Sequence, residues 1–140
     1  MIVLDSSMIV AYYRPMDTHY ETANTVMRDI AGGKYGRALL LEYVFLETVT
    51  VLMARLDQVR AAAIGRALLQ ARELDFVACS GIFVDTFETF AGPGADALGF
   101  VDAAVVTVAR RHDPAYVATF DRAIAAAEGV VAVPRASSAA

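Results

Sequence analysis

Asp5, Glu47, Asp102 and Asp121 each interrupt or close a strongly apolar stretch, in the contexts MIVLDSS, YVFLETVTVL, LGFVDAAVV and YVATFDRA. A carboxylate among so many aliphatic side chains is partly desolvated, and in isolation its charge would be costly. If the fold gathers the four, the natural counter-charge is a hard divalent cation with oxygen ligands, Mg²⁺ or Mn²⁺ before zinc. Each acid also has a plainer reading. Asp5 and Asp121 can be helix N-caps, and Asp102 a first-turn acid favoured by the helix dipole. Glu47 has no capping role, because it sits inside a helical stretch between Leu46 and Val49.

Other chemistries find little support. Cys79 is the only cysteine, so neither an internal disulfide nor a CxxC zinc site is available, and it reads as a small buried hydrophobe. His19 and His112 lack HExxH or HxH spacing and read as surface or helix-end residues. A ribonuclease working through paired histidines has no evident partners here. The chain carries 12 basic and 16 acidic residues, net charge −4, unlike a domain that binds nucleic acid by counterion release alone. With the four singled-out acids set aside, 12 bases balance 12 acids, so metals bound by those four would leave a neutral protein able to attract a phosphate backbone.

Short β-branched runs alternate with longer stretches of helical spacing. Residues 2–4, 38–41, 75–79, 116–120 and 129–133 read as strands. Helices are expected from Ser6 or Ser7, as caps, to Tyr13, and from Asp17 or Thr18 to Gly32-Gly33. Further helices are expected over 43–55, 58–72 with Asp57 as N-cap, Ser80 to Ala91 before Gly92-Pro93-Gly94, 100–111 and 121–128. Strands separated by one or two helices imply parallel pairing with right-handed crossovers. The expected fold is α/β: a three-layer α/β/α sandwich around a mainly parallel sheet of four or five strands. In such sheets ligands gather at the carboxyl ends of the strands. Asp5 and Asp121 follow strands, while Glu47 and Asp102 lie in early helical turns that can overhang the same edge.

Taken in order, MIVLDSSMIVAYY, YVFLETVTVL, ALGFVDAAVVTVARR and YVATFDRAI resemble a PIN domain, and in particular the VapC toxins of bacterial toxin–antitoxin pairs. The resemblance runs from residue 1 to about 133, giving a PIN-like nuclease domain over 1–134 and a frayed tail over 135–140. It implies that Asp5, Glu47 and Asp102 form a catalytic, metal-binding triad and that Asp121 is a fourth acid completing a second metal site. Ser7 and Thr119 match the family's supporting hydroxyls, which orient carboxylates or a metal-bound water. The implied activity is that of a Mg²⁺- or Mn²⁺-dependent endoribonuclease toxin, a homodimer restrained by a VapB-type antitoxin and acting on RNA such as transfer RNA. Metal-activated water would hydrolyse the phosphodiester in line, with no covalent intermediate. Two departures stand out: Asp-Ser-Ser replaces the more usual Asp-Thr-Ser, and Glu42 precedes Glu47 closely enough to exchange roles by a register shift.

Two other functions compete. Asp5 could serve as the nucleophile of a Mg²⁺-dependent phosphohydrolase, although Ser7 stands where that chemistry commonly wants a second Asp. A catalytically silent PIN-like module that only binds metal or RNA is the other. Arg14, Arg37, Arg110, Arg111 and Arg122 could meet phosphate but read more simply as solvated charges. Asp17, Asp57, Asp75, Asp85, Glu88 and Asp96 read as caps or surface charges, with Asp96 a possible substitute for Asp121. Ile9, Tyr12, Tyr13 and the 43–55 and 58–72 helices carry more apolar surface than one core needs, which suggests a dimer face or an antitoxin groove. No run reaches the roughly 18 to 20 apolar residues of a membrane span, so a cytoplasmic protein with no membrane contact is expected.

Overall fold

The computed structural model describes residues 1–93 and 98–135. Along the chain run β1 (Ile2–Leu4), α1 (Ser6–Tyr13), α2 (Tyr20–Ala31), β2 (Ala38–Leu41), α3 (Glu42–Arg55), α4 (Gln58–Gln70) and β3 (Leu74–Val77). A 3-10 turn (Ser80–Ile82) then leads into α5 (Phe83–Ala91), α6 (Phe100–Ala109), β4 (Ala115–Ala118), α7 (Arg122–Ala125) and β5 (Val130–Val133). The sheet order is β3-β2-β1-β4-β5, and every pairing is parallel.

The order explains the layers. From β1 the chain steps outward to β2 and β3, then returns across the sheet to β4 and β5. Right-handed crossovers in opposite directions put their helices on opposite faces of the sheet. The reversal falls between β1 and β4, and there the outgoing chains diverge and leave a crevice at the carboxyl ends. β1 is the buried middle: Ile2, Val3 and Leu4 are at most 1% exposed. Such a strand has no solvated face, which is why it reads as an unbroken aliphatic run. The segment Ala103–Ala109 of α6 is buried on every residue and packs on β1 and β4.

Five strands lie where the apolar runs placed them, to within two residues. Several helix starts differ. Ser6 and Ser7 do not cap α1: its N-cap is Asp5, and the two hydroxyls lie inside the first turn. The second helix starts at Tyr20 rather than at Asp17 or Thr18, because Asp17 Oδ1 accepts the His19 N–H at 2.8 Å and holds the chain in a turn first. Ser80 opens a 3-10 turn instead of capping α5. Asp57 is an N-cap as expected, accepting from the Arg60 N–H at 2.7 Å. Asp96 and residues 136–140 lie outside the described residues.

Ile9 belongs to the core rather than to an interface, fully buried in the main hydrophobic cluster, with Tyr12 and Tyr13 partly buried against the same cluster. Exposed apolar side chains lie on the two helices where a surplus was expected, Leu46 and Met53 on α3 and Val59 and Leu69 on α4, and also on α5. On α5 the residues Phe83, Val84, Phe87 and Phe90 are 53, 69, 50 and 43% exposed, while Thr86 faces inward. Phe83 and Phe90 touch Phe100, which also meets Tyr43, so the aromatic patch runs from α5 across α6 to α3.

Candidate metal centre

Asp5 is built into the crevice by its neighbours. Its backbone N–H donates to Ala118 O at 3.0 Å, stitching the end of β1 to the end of β4. Its side chain is 2% exposed, and Oδ2 accepts from Ser7 Oγ at 2.6 Å and Thr119 Oγ1 at 2.8 Å. Each hydroxyl is itself oriented: Ser7 Oγ accepts the Phe120 N–H and Thr119 Oγ1 accepts the Asp121 N–H, both at 2.9 Å. A hydroxyl has one proton. Having given it to Asp5, neither has one for the other, so their 3.3 Å separation is a contact rather than a bond. Burial pushes the Asp5 carboxyl up from its ordinary value, the two hydroxyl bonds pull it back, and Asp121 raises it further.

Glu47 comes from the second turn of α3. Its Oε1 accepts from Ser6 Oγ at 2.6 Å, a bond across 41 residues of sequence made possible by the packing of α1 on α3. Glu42, the alternative, turns away: its Oε1 accepts the Cys79 N–H at 2.9 Å. Glu42 thus ties β2 to the segment after β3, while Glu47 faces the crevice.

Asp102 stands in the first turn of α6, where, among the described residues, only the Gly99 N–H donates to it, at 3.4 Å to Oδ2. Its carboxyl is pushed up to about 6, by partial burial first and then by the negative charges of Asp121, Asp5 and Glu47. That shift is electrostatic testimony that the four acids share one region. Asp121 is the N-cap of α7: Oδ1 accepts the N–H groups of Ala123 at 2.8 Å and Ile124 at 3.1 Å. No hydrogen bond of the described residues uses its Oδ2, so one oxygen caps and the other remains for a ligand.

None of the ion pairs among the described residues involves these four acids. Arg14 pairs with Asp17, Arg37 with Asp75 and Arg111 with Asp85, and Arg110 donates to Glu128 O, whereas Arg122, next to Asp121, is exposed and in none of the ion pairs of the described residues. Nor does any group of three or more His, Cys, Asp or Glu side chains among the described residues converge to ion-ligating distance. The donor set fits a hard divalent ion: oxygen ligands only, surplus negative charge, and Asp5 with Oδ2 saturated by hydroxyls but no side chain donating to Oδ1.

Ser6 is the residue that sequence reasoning misplaced, reading it as a cap. The signal was available in part: with Asp5 as N-cap, hydroxyls at the next two positions must find partners beyond the helix start. His112 follows α6, partly buried, and Cys79 is fully buried with a free thiol.

An all-parallel five-stranded sandwich with an acidic crevice at its topological reversal is a doubly wound α/β domain, the class of fold that places its ligands at that reversal. The particular family follows from comparison: the PIN domain model matches residues 2–130, and the chain belongs to that family. Among solved structures it is similar to that of Mycobacterium tuberculosis VapC20, a sarcin–ricin loop cleaving toxin. The TM-score is 0.79 and the identity 22%, over 91% of this chain and 95% of that one. At that identity the likeness speaks for the fold. No curated protein sequence matches this chain.

Proposed function

We propose that this PIN domain is a metal-dependent endoribonuclease and the toxin of a type II toxin–antitoxin pair. One observation carries the reading: four carboxylates from the end of β1, α3, α6 and the start of α7 share a crevice, in no ion pair among the described residues, and burial followed by their negative charges lifts Asp102 to about 6. Bound Mg²⁺ or Mn²⁺ would offset that charge, acidify a water and stabilise charge on the phosphate. The chain's own contribution is positioning. Ser7 and Thr119 fix Asp5 through Oδ2, Ser6 fixes Glu47, and the α7 cap fixes Asp121 with one oxygen free. Asp102, the least constrained of the four, is free to rotate toward an arriving cation.

The substrate is a folded RNA such as a transfer RNA, and the sarcin–ricin loop cut by VapC20 is a second target to assay. The exposed aromatic face of α5 suits a second copy of the chain, since a contiguous apolar patch on a monomer marks an interaction surface. A groove is lined by Tyr43, Leu46, Thr50, Val51 and Val101 together with Glu47. A VapB-type antitoxin segment laid there would cover the acids, in the manner of a helix in an apolar groove. Cytoplasmic action follows from the RNA substrate; no helix among the described residues is long and apolar enough to cross a membrane.

The test is cleavage of total cellular RNA by purified protein with Mn²⁺ or Mg²⁺, compared with Asp5→Asn and Asp102→Asn. Cleavage that both substitutions abolish, and that chelation stops, is expected. Equal cleavage by all three proteins would remove the proposed site. A small antitoxin-like reading frame directly upstream would favour the toxin over a housekeeping nuclease.

A further inference from the structure

His19 and Phe120 lie ring on ring at the rim of the acidic crevice. Their centroids are 4.2 Å apart and their planes 10° from parallel. Every other aromatic pair among the described residues is tilted or edge-on. Phe120 rests its inner side on the core and is partly exposed, while His19 is exposed.

Both rings are held by backbone rather than by chance packing. Phe120 sits between Thr119 and Asp121, and its N–H donates to Ser7 Oγ at 2.9 Å, the same hydroxyl that holds Asp5. His19 is the N-cap of α2 but makes no side-chain cap bond, and its N–H donates to Asp17 Oδ1. Helix α2 therefore gains no capping from the imidazole. The side chain instead presents a flat ring, backed by a second ring, within the segment that organises the acids.

We infer that the His19–Phe120 stack is a nucleobase subsite, in which the base beside the scissile phosphate of an RNA stacks on the imidazole of His19. This rests on the ribonuclease reading above. Three features favour it. Aromatic and histidine rings accept any base by its π-face, and one such stack contributes about tenfold or more in affinity. Phe120 orders the imidazole before substrate arrives, which lowers the ordering cost on binding. A protein of net charge −4, or neutral with cations on the four acids, gains little from counterion release, so a stacking contact that needs no charge adds to its hold on a strand.

The alternative role is structural, the stack merely clamping the start of α2 to the end of β4. The two roles are separated by comparing wild type with His19→Ala, His19→Phe and His19→Trp. Four quantities are measured: KM and kcat on an RNA the wild type cuts, the Mn²⁺ dissociation constant, the melting temperature, and quenching of a single-stranded RNA carrying 2-aminopurine. A subsite predicts that His19→Ala raises KM about tenfold at similar kcat and unchanged Mn²⁺ affinity, loses the quenching, and is rescued by Phe and Trp. An unchanged KM and quenching in His19→Ala, or a loss that Phe and Trp do not restore, overturns the inference while leaving the ribonuclease standing. If the wild type neither cuts nor binds RNA, the ribonuclease reading fails and the subsite with it.

Discussion

Ser6 Oγ donates to Glu47 Oε1 at 2.6 Å, joining the first turn of α1 to the second turn of α3 beside the acidic crevice. Glu47 has several rotatable bonds and one side of its carboxylate toward solvent, so without that bond it would sample many orientations. Removing the hydroxyl should therefore act on metal binding more than on folding. Ser6→Ala is expected to weaken Mn²⁺ binding by about 10- to 100-fold, the usual range for a supporting contact to a metal ligand. Ser6→Thr, which keeps the hydroxyl, should restore most of it. Calorimetric or EPR titration with Mn²⁺ reads this directly, and unchanged affinity in Ser6→Ala would show that Glu47 is not a ligand.

The raised carboxyl of Asp102 gives the metal-free protein an inverted pH response. Its ordinary value is 3.8 and its folded value about 6, so between those limits the folded state holds the proton more tightly than the unfolded one. Stability from this group is thus full below the lower limit and is lost as pH rises through about 6. Asp5, also raised, acts in the same direction. Metal-free protein should melt at higher temperature at pH 5 than at pH 7, and Asp102→Asn should flatten that difference. Saturating Mn²⁺ should reverse the trend, because protons compete with the cation for the same oxygens. Melting curves at several pH values with chelator or with Mn²⁺ check all three statements.

Buried threonines supply a contrast independent of the site. Thr48 Oγ1 and Thr86 Oγ1 are buried without a hydrogen-bond partner, although both residues are fully enclosed. Thr107 is also buried, though less deeply, and is satisfied, donating to Ala103 O and lying 2.7 Å from Thr89 Oγ1. An unsatisfied hydroxyl costs about 1 to 3 kcal/mol, and an apolar group of the same shape removes that cost. Thr48→Val and Thr86→Val should each leave stability unchanged or raise it by about 1 kcal/mol. Thr107→Val should lower it by a similar amount. Urea denaturation midpoints measure the sign, and a loss in Thr48→Val comparable to that in Thr107→Val would mean that its hydroxyl has a partner after all.

What the sequence revealed and what it hid divide along one physical line. The five strands were legible because a parallel sheet covered on both faces demands aliphatic runs such as IVL and ALLL, whatever surrounds them. Asp5 and Asp121 could be placed at one edge because each follows a strand, and parallel strands share a direction. The partners of those acids were less accessible. Ser6 and Glu47 are 41 residues apart, and only the packing of α1 on α3 brings them together. The same limit kept the apolar face of α5 from being recognised: Phe83, Phe87 and Phe90 repeat as a core stripe would, yet the buried side of the helix is the one carrying Thr86. Periodicity reports that a face is apolar, and tertiary packing decides what covers it.

Asp121 caps α7, and substitution can separate that role from the metal binding proposed for it. Its Oδ1 caps α7 through Ala123 and Ile124, while no hydrogen bond of the described residues occupies Oδ2. Asparagine retains an acceptor oxygen for the cap but removes the charge. Asp121→Asn should therefore keep nearly wild-type stability in the metal-free state, or gain slightly as repulsion on Asp102 and Asp5 is relieved. Asp121→Ala loses the cap as well and should cost about 1 kcal/mol. If Oδ2 is a ligand, both variants weaken Mn²⁺ binding to the same extent, because both lack the anionic oxygen. If Asp121 is only a cap, Mn²⁺ affinity survives in Asp121→Asn and the stability difference alone remains. Parallel melting and Mn²⁺ titrations of the two variants distinguish the outcomes, since the cap depends on an oxygen and the metal on its charge.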